Sequence, residues 1–171
     1  MFKSFRHVAV RMQPWEIEHA LTVGGKRLVA NLDRGNALHY KSTLMESDWI
    51  AQPAAVLCEA AVAKFLGVYY DWSAWSSEAH HLHRAAPDLP GVEVRRMRTH
   101  PRPTVRWRDV EKNVDIYPAY ISMDDPREVL VYGGAPASQC WFHGKPAAYD
   151  STGKSRTFPL SVVSLPEVAH V

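Results

Sequence analysis

The sequence has little of what marks a secreted or membrane protein. Its 171 residues include two cysteines, Cys58 and Cys140, which form no disulfide framework and match no zinc-ligand spacing. No apolar run approaches the roughly 20 residues that span a bilayer, and the first residues lack the apolar block of a signal peptide. We therefore expect a protein of the reducing cytoplasm that has no membrane partner, with both cysteines in its core.

Internal repeats and linker-like segments are missing as well. A chain of 171 residues, 46% of them hydrophobic, is long enough for one sizeable core and is not expected to be disordered. We expect a single domain over residues 1–171. Its core is expected at about residues 50–165, with a helix and a loop from residues 1–49 packed against it.

Hydrophobic patterning predicts two helices in the first part of the chain. The first begins near Pro14, carries apolar residues on one stripe and ends at the Gly24–Gly25 pair. The second, residues 53–67, begins with proline, ends with glycine and is apolar nearly all round. A helix without a polar face is typical of a buried position.

The other segments indicate strands and connections. A short strand is expected at residues 26–32, and residues 33–50 are expected to be mostly irregular. Strand-like runs follow at residues 92–98, 103–108, 114–121 and 127–135. Together with a short helical or irregular end, this order predicts an α/β or α+β domain. Its central sheet is expected to be mixed, mostly antiparallel and flanked by helices.

Basic residues are concentrated in one segment, although the net charge of the chain is only +2. Seven arginines and two acids between residues 84 and 108 give this segment a charge of +5. Guanidinium groups stay charged and contact two phosphate oxygens at once, so the cluster favours a nucleic-acid partner over a merely solvated basic hairpin. The residues predicted to contact DNA are Arg96, Arg98, Arg102, Arg106 and Arg108.

Three acidic residues indicate a metal site. Glu59 lies in the most apolar part of the second predicted helix, where a lone buried carboxylate is costly unless it is paired or bound to a cation. Asp88 lies in a Pro/Gly turn, just ahead of a strand in which Glu93 and Arg95 alternate with valines and share one face. Converging carboxylates repel each other, and a hard divalent cation relieves that repulsion. The alternatives are a Glu59 that is exposed or paired with an arginine, and an ordinary surface strand.

The order of these motifs resembles that of the PD-(D/E)XK nuclease superfamily, and more narrowly of its small phage and prophage members. The corresponding segments are "CEAAVAKFLG", "DLPGVEVR" and "VRWRD", and the later "VYGGAPASQCW" and "FPLSVVSL" are also similar to that group. The resemblance implies a restriction-endonuclease-like core and hydrolysis of DNA phosphodiester bonds with Mg²⁺ or Mn²⁺. It also implies a bacterial or phage-infected cell, and a homodimer if two active sites are paired to cut both strands.

Carried over residue by residue, the resemblance makes Asp88 and Glu93 the principal metal ligands. Glu59 becomes a further ligand, direct or through water, and the carbonyl of Val94 another. These three acids and Arg95 are the predicted catalytic residues. The superfamily has lysine where this chain has Arg95, which stays protonated and is a poor general base. Arg95 can still orient water or neutralise the charge of the reacting phosphate.

Arg95 in place of lysine keeps one other function open, and the Tyr/Trp-rich segment of residues 69–75 keeps a second. The protein is alternatively a DNA-binding accessory protein with weak or no catalysis, or a phage assembly protein that uses "YYDWSAW" as an interface. His80 and His83 have the spacing of half a zinc site but no convincing partner. Trp107, flanked by arginines, is either a core residue or a platform for base stacking.

Overall fold

The structure is a computed structural model that describes residues 2–33, 48–73 and 86–166. Within these ranges the helices are α1 (Pro14–Asp33), α2 (Asp48–Leu66), α3 (Trp107–Glu111) and α4 (Ala137–His143). The strands are β1 (Val8–Arg11), β2 (Val92–Arg96), β3 (Thr104–Arg106), β4 (Asp115–Ile121), β5 (Glu128–Val131), β6 (Ala135–Pro136), β7 (Lys145–Pro146) and β8 (Ser155–Thr157). Short 3₁₀ turns lie at Phe2–Ser4 and Leu160–Val162. The α+β class predicted from the sequence is confirmed.

The central sheet is mixed and mostly antiparallel. Its strands follow the order β1-β5-β4-β2, and β6 pairs with β4. The pair β2–β4 is parallel, while β1–β5, β4–β5 and β4–β6 are antiparallel. Because parallel strands need a crossover, the chain passes through β3 and α3 between β2 and β4. After β2 the chain therefore enters β3, which belongs to the small sheet described next.

A second, three-stranded antiparallel sheet has the order β3-β8-β7. It packs with α3 and α4 around a second core that includes Val105, Cys140 and Phe158 and is shared with the central sheet through Ile116 of β4. The main core lies between α2 and the central sheet and includes Val56, Val62 and Val131. Since α1 covers α2 on its other side, the nearly all-apolar composition of α2 fits its position between two layers. No helix in the described ranges is long and apolar enough to cross a membrane.

The predicted stop of α1 and the strand at residues 26–32 are wrong, because α1 continues to Asp33. Buried residues recur along it at helical spacing: Ala20, Val23, Gly24, Arg27 and Leu28. A Cβ atom on Gly24 would overlap the backbone of the crossing helix α2. The glycine pair therefore permits a close approach of two helices, and packing against α2 overrides the stop signal.

Other boundaries also differ from the prediction. The strand expected at residues 103–108 ends at Arg106, since Asp109 in the next turn accepts the Arg106 N–H and starts α3. The run at 92–98 ends at Arg96, the run at 127–135 is divided between β5 and β6, and β1 was not foreseen. Of the segment 33–50 predicted to be irregular, residues 48–50 belong to α2, and residues 34–47 lie outside the described ranges.

Candidate active site

A tight turn before β2 brings Asp88 and Glu93 together. Leu89 and Val92 exchange two backbone hydrogen bonds of 3.0 Å across this turn. Gly91 within it has φ +72°, a left-handed conformation that favours glycine. The Val94 N–H donates to Asp88 Oδ2 at 2.8 Å, and the Asp88 N–H donates to Glu93 Oε2 at 3.3 Å. The two principal ligands predicted from the sequence are therefore neighbours in the structure.

The carboxyl groups of this acid pair resist ionisation. Glu93 is buried, and burial together with the charges of Asp88 and Asp109 raises its pKa to about 7, against the opposing charge of Arg95. Asp88 as a whole residue is exposed, but its carboxyl group is surrounded by protein atoms. This burial, and next the negative charge of Glu59, raise the pKa of Asp88. Near neutral pH the pair therefore carries fewer than two negative charges.

The guanidinium group of Arg95 is fixed beside the acid pair. Its Nη2 lies 2.5 Å from Asp109 Oδ2 and 3.6 Å from Glu93 Oε1. Its Nε donates to the Thr104 carbonyl at 3.1 Å, and its Nη1 to the Val94 carbonyl at 3.4 Å. Burial acts to lower the pKa of Arg95, but the charges of Asp109 and Glu93 outweigh it and raise the pKa. Arg95 is thus a fixed positive charge and has no role as a proton acceptor.

Asp109, the last residue of the "VRWRD" segment, holds Arg95 and Arg106 in place. It is fully buried, and its Oδ2 accepts both Arg95 Nη2 and the N–H of Arg106. Its Oδ1 has no hydrogen-bond partner among the described residues, and Arg108 Nε lies 3.9 Å away. The sequence signal that could have identified this role is the acid in the first turn of a short helix that follows a basic strand.

Glu59 belongs to a buried ion pair. Arg27 Nη1 donates to both carboxylate oxygens, at 3.0 and 2.9 Å, and the Tyr70 hydroxyl donates to Oε2 at 2.6 Å. Burial opposes the charge of Arg27, but the charge of Glu59 raises the Arg27 pKa, and burial raises the pKa of Tyr70. The structure therefore has the arginine-paired form of Glu59 that the sequence left open. It adds Arg27 and Tyr70, which the sequence did not identify.

The structure brings together two of the three acids expected to hold a metal. Asp88 and Glu93 are joined by a hydrogen bond, whereas both oxygens of Glu59 are engaged by Arg27 and Tyr70. In the part of the chain that the structure describes, no group of three or more His, Cys, Asp or Glu side chains is arranged to hold a metal. A metal ion held by the acid pair alone would have to take its other ligands from water and phosphate, as magnesium often does.

The predicted DNA-contacting arginines lie on elements next to the acid pair. Arg102 is exposed, and the others are half-buried: Arg96, Arg98, Arg106 and Arg108. The hydrogen bond from Arg95 to the Thr104 carbonyl links β2 and β3, which carry Arg96 and Arg106. Because neighbours in a strand point to opposite faces, Arg96 lies on the face of β2 away from Glu93 and Arg95. Positive charges on elements close to two carboxylates attract phosphate.

The remaining candidates have separate outcomes. His80, His83 and Trp75 lie outside the described residues. In the "YYDWSAW" segment, Tyr70 is buried and contacts Trp72, with ring centroids 4.8 Å apart, so part of it packs within the chain. Cys58 and Cys140 are both buried and form no disulfide with each other, as expected of core cysteines.

Comparison with known proteins adds no relative from which a function could be transferred. Neither a family model, nor a curated protein, nor a solved structure matches the chain. The assignment to the PD-(D/E)XK superfamily therefore stays a prediction from the order of its motifs. The features of this chain that bear on its chemistry are the acid pair, the fixed guanidinium group of Arg95 and the arginines on neighbouring elements.

Proposed function

We propose that this protein is a metal-dependent nuclease that hydrolyses DNA phosphodiester bonds, with Asp88 and Glu93 as ligands of Mg²⁺ or Mn²⁺. The observation that carries the proposal is the hydrogen bond from the Asp88 N–H to the Glu93 carboxylate, which holds the two acids side by side, with the pKa of Glu93 raised to about 7 beside a fixed guanidinium group. A strongly shifted carboxyl group next to a charge partner is typical of functional sites. A divalent cation would relieve the repulsion that otherwise favours protonation.

Each residue of the site has a distinct part in this reaction. A bound divalent cation supplies Lewis-acid polarisation of the phosphodiester and makes water more acidic. Arg95, held by Asp109, keeps a positive charge where negative charge develops on the phosphate, and this charge costs no reorganisation during the reaction. The arginines around the site hold the DNA backbone by charge-assisted hydrogen bonds. Arg27 and Tyr70 hold Glu59, which here has a structural part.

The wider assignment is part of the same proposal. A helix glutamate, a turn aspartate and a strand Glu-x-Arg occur in the order of the PD-(D/E)XK superfamily. The helix that carries the glutamate, α2, packs against β2, the strand of the mixed sheet that carries Glu-x-Arg. We accordingly propose a restriction-endonuclease-like core and a phage-related protein of the bacterial cytoplasm. Two copies would cut the two strands of a duplex.

One observation favours a second candidate, a DNA-binding accessory protein that does not cut. Arg95 Nη1 and Nη2 contact the Val94 carbonyl and approach Glu93, and both of these groups are predicted metal ligands. A guanidinium group in this position partly supplies the positive charge that a metal would bring. In this candidate the acid pair is neutralised by Arg95 and by protonation, and DNA is held without hydrolysis.

Cleavage of supercoiled, linear and branched DNA with Mg²⁺ or Mn²⁺ separates the two candidates. The variants are Asp88→Asn and Glu93→Gln, which keep the shape of each side chain, and Glu18→Gln on an exposed part of α1 is the matched control. We expect metal-dependent cleavage that both site variants lose and the control retains. Salt-sensitive DNA binding without cleavage by the unmodified protein would select the accessory role. The absence of both binding and cleavage would exclude both candidates.

A further inference from the structure

The small sheet presents an exposed aromatic and basic surface beside the acid pair. We call it the stacking face and define it by Thr104, Arg106, Lys145 and Tyr149, together with Trp107 at its edge, where β3 ends. Val105 points into the core and is fully buried, so its neighbours Thr104 and Arg106 point away from it. In the register of the sheet, Lys145 lies across from Thr157, and Thr157 across from Thr104, which puts their side chains on the same outer side.

Direct contacts join the stacking face to the candidate active site. The Thr104 carbonyl accepts Arg95 Nε at 3.1 Å, and its hydroxyl lies 3.0 Å from the Tyr149 hydroxyl. Arg106 is linked to the same arginine through Asp109, which accepts both groups. One residue therefore separates the Tyr149 side chain from the guanidinium group beside Glu93. A nucleotide on this surface would lie next to a phosphodiester at the acid pair.

The two aromatic residues of the face are exposed but held in place. Trp107 is 44% exposed and Tyr149 is 69% exposed. The Trp107 and Trp141 rings form a T-shaped contact, with their centroids 5.1 Å apart. The Arg156 guanidinium carbon lies over the Trp141 ring, 4.5 Å from its centroid. Tyr149 is tethered by its hydroxyl group. Rings fixed at one edge lose little conformational freedom when a flat ligand stacks on them.

Positively charged residues outnumber acids on the segments that carry these rings. Arg106 and Lys145 belong to the face, and the exposed Lys154 is joined to it because its carbonyl accepts the Trp107 N–H at 2.9 Å. The acid closest in sequence to Tyr149 is Asp150, whose carboxylate accepts the N–H and the hydroxyl of Thr152. Aromatic rings interleaved with cations complement a strand whose bases are free to stack and whose phosphates are negative.

We propose that the stacking face binds unpaired nucleotides of single-stranded DNA, with bases on Trp107 and Tyr149 and phosphates at Arg106 and Lys145. In duplex DNA the bases stack on each other, so their faces are not open to these rings. If the protein is the proposed nuclease, this surface makes single strands, or duplexes with single-stranded ends, its favoured substrate, and that part of the inference rests on the proposed function. The binding of single strands does not depend on it.

Binding is measured by fluorescence anisotropy with a labelled DNA strand of about 15 nucleotides, within the site sizes typical of single-strand binders, and with the duplex of the same sequence. EDTA is present so that cleavage cannot interfere. The unmodified protein should bind the single strand more tightly than the duplex. Trp107→Ala and Tyr149→Ala should each raise the Kd for the single strand by about 5- to 150-fold, because base stacking contributes about 1–3 kcal/mol per base. Tyr149→Phe, which keeps the ring, should retain most of the affinity.

Trp15→Ala is the matched control, since Trp15 is 52% exposed on α1 and contacts His19 and Trp72 instead. Its Kd should stay within about twofold of the unmodified protein, well below the effect of one stacked base. Circular dichroism checks the folding of each variant. If Trp107→Ala fails to fold, the Tyr149 pair of variants still decides the question.

The outcomes for the stacking face and for the nuclease can be told apart. Equal affinity for the two DNA forms, or site variants that behave like Trp15→Ala, would overturn the stacking face while a cleavage assay still tests the nuclease. Ring-dependent binding of single strands without cleavage would support the stacking face and refute the nuclease. No binding to either DNA overturns the stacking face.

Discussion

Removal of Arg27 should destabilise the protein strongly, because it would leave the carboxylate of Glu59 buried without its counterion. The two side chains are only 7% and 9% exposed, and their atoms approach to 2.9 Å. Breaking a buried pair by removing one partner costs about 3–5 kcal/mol. Domains are stable by about 5–15 kcal/mol in total, so Arg27→Met should remove a large part of the free energy of unfolding.

A double variant tests whether this loss comes from the unpaired charge. In Arg27→Met/Glu59→Gln no charge is left behind, and the side-chain amide introduced by the second substitution can still accept the hydroxyl of Tyr70. The double variant should therefore recover at least about 2 kcal/mol relative to Arg27→Met alone, since neutral replacements of buried pairs are often tolerated. Urea denaturation near neutral pH, followed by tryptophan fluorescence and by circular dichroism, measures these free energies.

Arg11→Met is the matched control for removing an arginine. Arg11 pairs with Asp125 and Glu128 at the surface, and its side chain is 52% exposed. Its loss should cost about 0–1 kcal/mol, as for other exposed ion pairs. If Arg27→Met lowered the free energy of unfolding no more than this control does, the buried ion pair between Arg27 and Glu59 would be refuted. Glu59 would then be available as the third metal ligand.

Two further predictions concern the crossing of α1 with α2 and the charge of the acid pair. Gly24→Ala should destabilise the protein by about 1–3 kcal/mol, because the new Cβ meets the backbone of Pro53. Gly25→Ala, with no atom within 4 Å, should be neutral or stabilising by up to about 1 kcal/mol. Equal effects in urea denaturation would argue against the close crossing. In EDTA, stability should fall as the pH rises from 4.5 to about 7, since the pKa of Glu93 is higher folded than unfolded. In Glu93→Gln this fall in the free energy of unfolding should be about 3 kcal/mol smaller than in the unmodified protein. The same pH profile in both proteins would contradict the raised pKa of Glu93.

Local patterns were enough to predict the body and the end of α2 and the acid pair, although α2 begins at Asp48 and not at Pro53. The end of α2 is marked by Gly67, which has φ +68°, and its burial follows from a run with no polar face. Asp88 and Glu93 are close in sequence and joined by a glycine turn, so the turn alone brings them together. The alternation of β2 correctly put Glu93 and Arg95 on one side, where Arg95 Nη2 approaches Glu93 Oε1 at 3.6 Å.

The contacts that the sequence could not predict join distant segments. Arg27 reaches Glu59 only because α1 continues past two glycines and crosses α2, and a local reading of the glycines ends the helix. Arg95 meets Asp109 because the crossover from β2 to β4 folds α3 back onto the sheet. In both cases tertiary packing determines which acid the buried arginine pairs with, and no residue spacing within one element predicts that partner.

The balance of buried charge shows where the two functional proposals differ. Four carboxyl groups and two guanidinium groups interact around β2: Glu59, Asp88, Glu93, Asp109, Arg27 and Arg95. Lys112 Nζ, 4.0 Å from Glu93 Oε1, and Arg108 Nε, 3.9 Å from Asp109 Oδ1, add positive charges that solvent screens, because both side chains are partly exposed. Up to two negative charges are thus left over when all the acids are ionised, and they fall on the acid pair, whose carboxyl groups have raised pKa values. One divalent cation would neutralise them in the nuclease. In a protein that only binds DNA, a proton on Glu93 does so, which is the state that its raised pKa favours.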